Sequence, residues 1–128
     1  LSNASLKKIG LSKQKISYVK NIASFFHENN LFIKNINSYT EKEIKDKLII
    51  IKGVGEWTAD MFLIFGLGKL NVFPTGDLGF LKAISINYKK KLPLTNRQLN
   101  FLYKKWSPYN SIATWYLWRS LDPLPISY

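Results

Sequence analysis

Apolar residues recur at three- and four-residue steps along most of the chain, and no alternation with a period of two persists. The first pattern is typical of helices that bury one face, and the second would indicate strands. Between Ser12 and about Asn29, lysines lie off an apolar stripe made of Ile16, Val19, Ile22, Ala23 and Phe26. The sequence therefore predicts an all-α protein of five or six helices.

Polar residues at the expected positions mark several helix starts. Thr40 is followed by Glu43, and Thr95 by Gln98, which is the spacing of the capping box. Asp77 precedes a helical pattern and is expected to cap it, because a carboxylate accepts N–H bonds from the first turn. These residues divide the chain into short helices without a linker.

A last helix is predicted after Pro108, ending near Asp122–Pro123. Its aromatic residues Trp115, Tyr116 and Trp118 are assigned to packing.

The charge balance narrows the class of partner. Lys+Arg number 19 against 8 Asp+Glu, for a formal charge of +11 over 128 residues. Such a surface suits a polyanion, either nucleic acid or an acidic membrane surface. The apolar runs are too short to span a bilayer. Cysteine is absent and His27 is the only histidine, which excludes thiolate chemistry and argues against a histidine metal site.

A glycine turn joins two of the predicted helices. In Lys52-Gly53-Val54-Gly55 the glycines permit a tight reversal, and the next helix is predicted from Glu56 to about Phe65. The N–H groups of its first turn favour an anion such as a DNA phosphate. The expected phosphate-binding residues are Lys52, Gly53, Val54, Gly55 and Thr58. The alternative is a tight turn that needs glycine for geometry alone.

Two segments carry a resemblance to a known family. The chain resembles the helix-hairpin-helix DNA glycosylase superfamily in the segments LIIIKGVGEWTADMFLIFGLGKLNVFPTGDLGFLKA and WSPYNSIATWYLWR. Within it the chain is most similar to bacterial 3-methyladenine DNA glycosylases of the alkylation-inducible type, from about Leu11 to Leu121. The resemblance implies one domain over residues 1–128 with its hairpin at about 41–66. It also implies double-stranded DNA with alkylated bases as partner, and an intracellular location at the nucleoid.

The resemblance implies that Asp77 is the catalytic carboxylate. Cleavage of an N-glycosidic bond builds positive charge on the sugar, which a nearby carboxylate stabilises while water attacks. Capping of the following helix is the alternative role for Asp77, and the two roles are compatible. Asp60 is the rival acid, but its place near a helix start is more often structural.

Trp57 stands where relatives that also nick the backbone carry a lysine nucleophile. The resemblance therefore implies a monofunctional glycosylase that leaves an abasic site. It places Trp57, Met61 and Tyr109 in the pocket for the flipped base, although Trp57 and Met61 share a helical stripe and would equally suit the core.

The resemblance requires no cofactor, but relatives commonly bind a monovalent cation, Na⁺ or K⁺, at the hairpin. The matching ligands would be the backbone carbonyls of Ile49, Ile51 and Val54.

Two departures from the family are expected to matter. Asn110 replaces an arginine, which removes a cation near the cleft. Part of the N-terminal helical lobe is also expected to be lacking ahead of Leu11, because ten residues cannot replace it. The chain would then be a piece of a longer protein, be completed by a second polypeptide, or act as a non-catalytic DNA-binding module.

Overall fold

The computed structural model describes residues 2–122 and is helical throughout, which confirms the predicted all-α fold. Those residues contain no strand. Residues 1 and 123–128 lie outside the described part. The last helix, predicted to end near Asp122–Pro123, ends a little earlier, at Arg119. The α-helices are α1 (Asn3–Lys8), α2 (Lys13–Glu28), α3 (Asn30–Lys34), α4 (Glu41–Ile49), α5 (Glu56–Met61), α6 (Leu78–Asn87), α7 (Asn96–Trp106) and α8 (Asn110–Arg119).

Both capping boxes form as predicted. The hydroxyl of Thr40 accepts from the N–H of Glu43 at 3.3 Å, and the Glu43 carboxylate accepts from the Thr40 N–H at 2.8 Å. Thr95 and Gln98 make the same reciprocal pair at 3.3 and 2.9 Å. α4 and α7 therefore begin where local chemistry satisfies the first backbone donors.

The chain divides into two compact units, the first ending at Ala59 and the second beginning at Asp60. A single domain over residues 1–128 stays a prediction. Among the helices of the described residues, none combines the length and the hydropathy that crossing a bilayer requires.

The first unit buries less of the predicted α2 stripe than expected. Ile16 is buried, whereas Val19 and Ala23 are exposed. The aromatic ring of Phe32, on the unpredicted short helix α3, is buried and packs edge-on against Phe25 and Tyr39. Because neighbouring helices decide which residues of a stripe become buried, periodicity alone overstated this face.

The second unit is built around one face of α6. Its core contains Phe80, Ala83, Ile84, Leu102 and Leu117, contributed by α6, α7 and α8. Phe73 packs edge-on against Phe80 at 5.0 Å between ring centroids. This contact anchors the extended segment that leads into α6.

The helix predicted from Glu56 to about Phe65 changes character after Met61. Phe62–Gly66 forms a π-helical turn, closed by the N–H of Leu67 bonding to the carbonyl of Phe62 at 3.0 Å. A Cβ at Gly66 would lie 2.9 Å from the Phe62 ring, so glycine lets the wide turn close over that ring.

Candidate functional site

The turn between α4 and α5 is tight and open to solvent. The N–H of Val54 bonds to the carbonyl of Ile51 at 2.9 Å, and Gly53 has a φ of 105°, which other residues rarely adopt. Of the predicted phosphate-binding residues, Lys52, Gly53, Gly55 and Thr58 are exposed and Val54 is half-buried. Their accessibility suits a surface that meets a polyanion.

Helix α2 holds this turn in place, a contact that the sequence did not indicate. A Cβ built on Gly53 would overlap Cγ of Tyr18, so the ring sits directly against the glycine backbone. The side-chain amide of Asn21 donates to the carbonyl of Lys52 at 3.0 Å. Two separate reasons therefore require glycine at position 53: its positive φ and the close approach of the Tyr18 ring.

Asp77 caps α6, as predicted, and also accepts a hydrogen bond from a residue of α8, which is distant in sequence. Its Oδ1 atom accepts from the backbone N–H of Phe80 at 2.5 Å and from the indole N–H of Trp118 at 3.1 Å. The Trp118 ring stacks on Phe65 with centroids 6.0 Å apart. Two donors on one oxygen fix the orientation of the carboxylate plane.

Gly79 leaves room for this arrangement. A Cβ at that position would lie 3.1 Å from Oδ1 of Asp77 and 3.8 Å from the Trp118 ring. Any larger residue would have to displace the carboxylate by a few tenths of an ångström.

The assignment of Trp115 and Tyr116 to packing is wrong. Both are exposed, because α8 buries a single face at near three-residue spacing, made of Asn110, Ser111, Thr114 and Leu117. Trp118 is half-buried and serves Asp77, which its aromatic type alone did not reveal.

Ser111 fastens the loop that leads to Asp77. Its hydroxyl donates to the carbonyl of Lys69 at 2.6 Å and accepts from the N–H of Val72 at 3.0 Å. Its own N–H bonds to the carbonyl of Leu70 at 2.9 Å. The start of the loop is thus bound to α8 at three points.

Asn110, which stands where the family usually has arginine, is fully buried. Its amide nitrogen lies within hydrogen-bond distance of Oδ1 of Asn71, the carbonyl of Tyr103 and the hydroxyl of Ser107. Its own Oδ1 has no hydrogen-bond partner. The residue therefore joins the loop to the α7–α8 corner and presents no group to solvent.

The three predicted pocket residues differ in accessibility. Trp57 is 52% exposed and Tyr109 is 56% exposed, while Met61 is half-buried. Trp57 belongs to the first unit, and Met61 and Tyr109 to the second. A core position for Trp57 is excluded by its exposure; the shared pocket stays a prediction.

The other candidate acids have different surroundings. Asp60 is 2% exposed, in keeping with a structural role. Asp46 pairs with Lys42 at 2.6 Å on the surface of α4, and Asp122, just after α8, pairs with Arg119 at 2.9 Å. The hydrogen bond from Lys42 to Asp46 raises the pKa of that lysine.

The predicted cation ligands are chemically suited to Na⁺ or K⁺. The carbonyls of Ile49, Ile51 and Val54 are neutral oxygen donors on a short segment, and the Ile51 oxygen, which accepts from Val54, has a second lone pair. Among the described residues no cluster of three or more His, Asp or Glu side chains forms a metal site. The cation itself stays a prediction.

Comparison with known proteins gives a consistent set of relatives. No protein-family profile matches the chain. A Bacillus subtilis protein named provisionally as a DNA-3-methyladenine glycosylase is 32% identical, over 91% of this chain and 41% of its own length. The DNA-3-methyladenine glycosylase of Saccharomyces cerevisiae is 30% identical, over 91% of this chain and 49% of its own length. The chain thus spans less than half the length of these relatives.

Solved structures agree with the helical arrangement. The DNA-3-methyladenine glycosidase of Bacillus halodurans superposes with a TM-score of 0.80 at 29% identity, covering 96% of this chain and 57% of that one. The 3-methyladenine DNA glycosylase of Schizosaccharomyces pombe, solved with abasic DNA, has the same fold: the TM-score is 0.76 at 24% identity, covering 98% of this chain and 63% of that one.

A glycine hairpin followed by an aspartate at a helix N-terminus is in keeping with a helical domain of the DNA glycosylase type. Over about nine-tenths of its length the chain is similar to alkylation-repair enzymes named 3-methyladenine DNA glycosylases, of the helix-hairpin-helix superfamily.

Proposed function

We propose that this chain is the catalytic part of a monofunctional DNA glycosylase that removes alkylated purines such as 3-methyladenine. The observation that carries the proposal is the fixed carboxylate of Asp77, held by the Phe80 N–H and the Trp118 indole. A pre-oriented anion loses no binding energy to reorganisation when positive charge develops nearby.

The reaction breaks the bond between the sugar C1′ and the purine nitrogen. The bonding electrons leave with the base, and C1′ gains positive charge that the Asp77 carboxylate stabilises. Water then attacks C1′ and loses its proton, with the same carboxylate as the acceptor. The products are a free base and an abasic site.

Trp57 supports hydrolysis without strand cleavage. A lyase needs an amine at the reacting carbon to form a Schiff base, and this position carries an exposed indole instead. Trp57 and Tyr109 would stack on the extruded base, because electron-poor alkylated purines favour electron-rich rings. Met61 would add an apolar, polarisable wall to the same pocket.

Duplex DNA is the proposed partner. The net charge of +11 supplies the attraction to phosphates. One DNA phosphate would bind at the turn between α4 and α5, against Lys52, Gly53, Val54, Gly55 and Thr58. A monovalent cation on the backbone carbonyls of Ile49, Ile51 and Val54 would assist this binding. The structural neighbour solved with abasic DNA supports this choice of partner. A protein that acts on chromosomal DNA would be located inside the cell.

A DNA-binding module without catalysis is the competing function. This alternative is favoured by the structural role of Asp77, whose Oδ1 already accepts hydrogen bonds from the α6 N-terminus and from Trp118. Such a module would keep the hairpin and would have no use for a carboxylate at the sugar.

The two functions are separated by incubating the 128-residue chain with methylated duplex DNA and measuring free 3-methyladenine by chromatography. Asp77→Asn is the matched control, because its amide oxygen still accepts both hydrogen bonds. Release by the native chain and none by the variant, with equal DNA binding, supports the glycosylase. Equal base release by both proteins, or DNA binding without release by either, contradicts it. Borohydride trapping should give no covalent complex.

A further inference from the structure

A small apolar cavity lies beside α6 and α7 in the second unit, at a place that the proposed chemistry does not use. Its volume is about 250 Å³. The apolar lining comprises Ile84, Tyr88, Leu94, Phe101 and Leu102. Small-molecule sites usually measure roughly 300 to 1,000 Å³, so this cavity suits one inserted side chain better than a cofactor.

The lining runs from the core to the surface. Ile84 and Leu102 are buried, whereas Phe101 is 64% exposed. A large aromatic side chain that stays exposed beside an apolar cavity is typical of a surface that a partner covers.

Two cationic side chains line this cavity. Lys90 and Arg97 line it together with the apolar residues. Between Leu78 and Leu121 the sequence contains no Asp or Glu, while its basic residues are Lys82, Lys89, Lys90, Lys91, Arg97, Lys104, Lys105 and Arg119. The complementary ligand is therefore anionic as well as apolar.

The backbone of the three consecutive lysines at residues 89–91, just after α6, is held in a defined conformation. The hydroxyl of Ser85 donates to the carbonyl of Lys90 at 2.6 Å, and the N–H of Lys90 returns to the carbonyl of Ser85 at 2.9 Å. Lys89 takes a φ of 49°, the left-handed conformation that reverses the chain after α6. A fixed backbone lowers the entropy lost when the ammonium group of Lys90 is engaged.

We propose that this apolar pocket with its cationic rim binds an acidic peptide segment that carries one large apolar side chain. The apolar side chain fills the cavity, and the flanking carboxylates pair with Lys90 and Arg97. The backbone of a DNA duplex supplies the charge but has no aliphatic or aromatic group to insert while its bases stay stacked. The Gln98 oxygen, beside the cavity, is already engaged by Thr95 and does not read a base edge.

The site is separate from the candidate carboxylate. Ile84 and Tyr88 lie roughly 10 to 16 Å beyond Asp77 along α6, at 1.5 Å per residue. The inference therefore does not depend on the proposed base excision.

The test uses a fluorescein-labelled peptide of Asp, Glu and Ser residues around one central Phe, with binding to the full chain measured by fluorescence anisotropy. Replacing the Phe by Ser, or the acidic residues by their amides, should each weaken binding about tenfold or more. Equal binding of the Phe and Ser peptides would mean attraction by charge alone and would overturn the proposal.

Variants locate the site. Arg97→Glu and Phe101→Ala should each weaken peptide binding about tenfold, with unchanged thermal unfolding. Lys82→Glu is the matched control, since it makes the same charge change on an exposed α6 residue that does not line the cavity. Equal losses in Arg97→Glu and Lys82→Glu would overturn a local site. A duplex DNA probe that loses affinity in Arg97→Glu while the peptide does not would identify a nucleic-acid surface instead.

Discussion

The indole N–H of Trp118 donates to Oδ1 of Asp77 at 3.1 Å, and so connects α8 to the N-terminus of α6 across 41 positions of sequence. The same oxygen receives the Phe80 N–H, so the side chain of the candidate catalytic residue is fixed from two directions.

Trp118→Phe should slow base release about 10- to 100-fold, because a hydrogen bond to a charged group contributes about 1.5 to 3 kcal/mol. A phenyl ring keeps the stacking on Phe65. DNA affinity should stay unchanged. Single-turnover excision assays measure the rate, and Trp115→Phe, on the exposed face of the same helix, is the control. Equal rates for both variants would remove Trp118 from any positioning role.

Gly53→Ala should destabilise the chain by about 2 to 4 kcal/mol, by combining a left-handed dihedral with overpacking against Tyr18. The clash falls on Cβ and Cγ of that tyrosine, which cannot swing away as the tip of a side chain would. Gly55→Ala meets nothing within 4 Å and serves as control. Chemical denaturation measures both, and similar midpoints would contradict the close contact.

Ser111→Ala should lower the free energy of unfolding by about 1 to 3 kcal/mol, because the buried N–H of Val72 and carbonyl of Lys69 lose their hydroxyl partner. Ser17→Ala, at an exposed position within α2, should change stability by less than about 0.5 kcal/mol. Urea titration of the two variants checks this difference. A neutral Ser111→Ala variant would show that the loop is held by other contacts.

Stability should depend on pH through the capping box of α4. The hydrogen bond from the N–H of Thr40 lowers the pKa of Glu43 from its ordinary value of 4.5, and the hydrogen bond from the Thr40 hydroxyl adds a smaller shift in the same direction. The contribution of a carboxylate with a lowered pKa is complete above that ordinary value and is lost as pH falls through the folded-state pKa.

Glu43→Gln keeps both hydrogen-bonding partners but does not titrate. The melting temperature of the native chain should therefore fall towards, or below, that of Glu43→Gln between neutral and acidic pH. Parallel melting curves at every pH would show that Glu43 makes no titrating contribution.

Much of the fold could be predicted because its signals are local. Thr40 with Glu43, and Asp77 before α6, are positioned by hydrogen bonds that span three residues, so their spacing is visible in the sequence. α1 and α3 were missed because six and five residues are too few to establish a helical period.

The site was less predictable because its contacts are distant in sequence. Neither Tyr18 against Gly53 nor Trp118 on Asp77 leaves a pattern in either partner's neighbourhood. Exposure of Trp115 and Tyr116 likewise depends on which face of α8 meets the core, and an aromatic-rich helix gives little indication of that choice.

The π-helical turn of Phe62–Gly66 makes this segment tolerant of a change in its length. A wide turn holds one residue more than a regular α-helix would. Deleting one residue from it would leave the N–H of Leu67 four residues, instead of five, beyond the carbonyl of Phe62, which is the ordinary α-helical bond. In a regular helix the same deletion would rotate every following residue by about 100°.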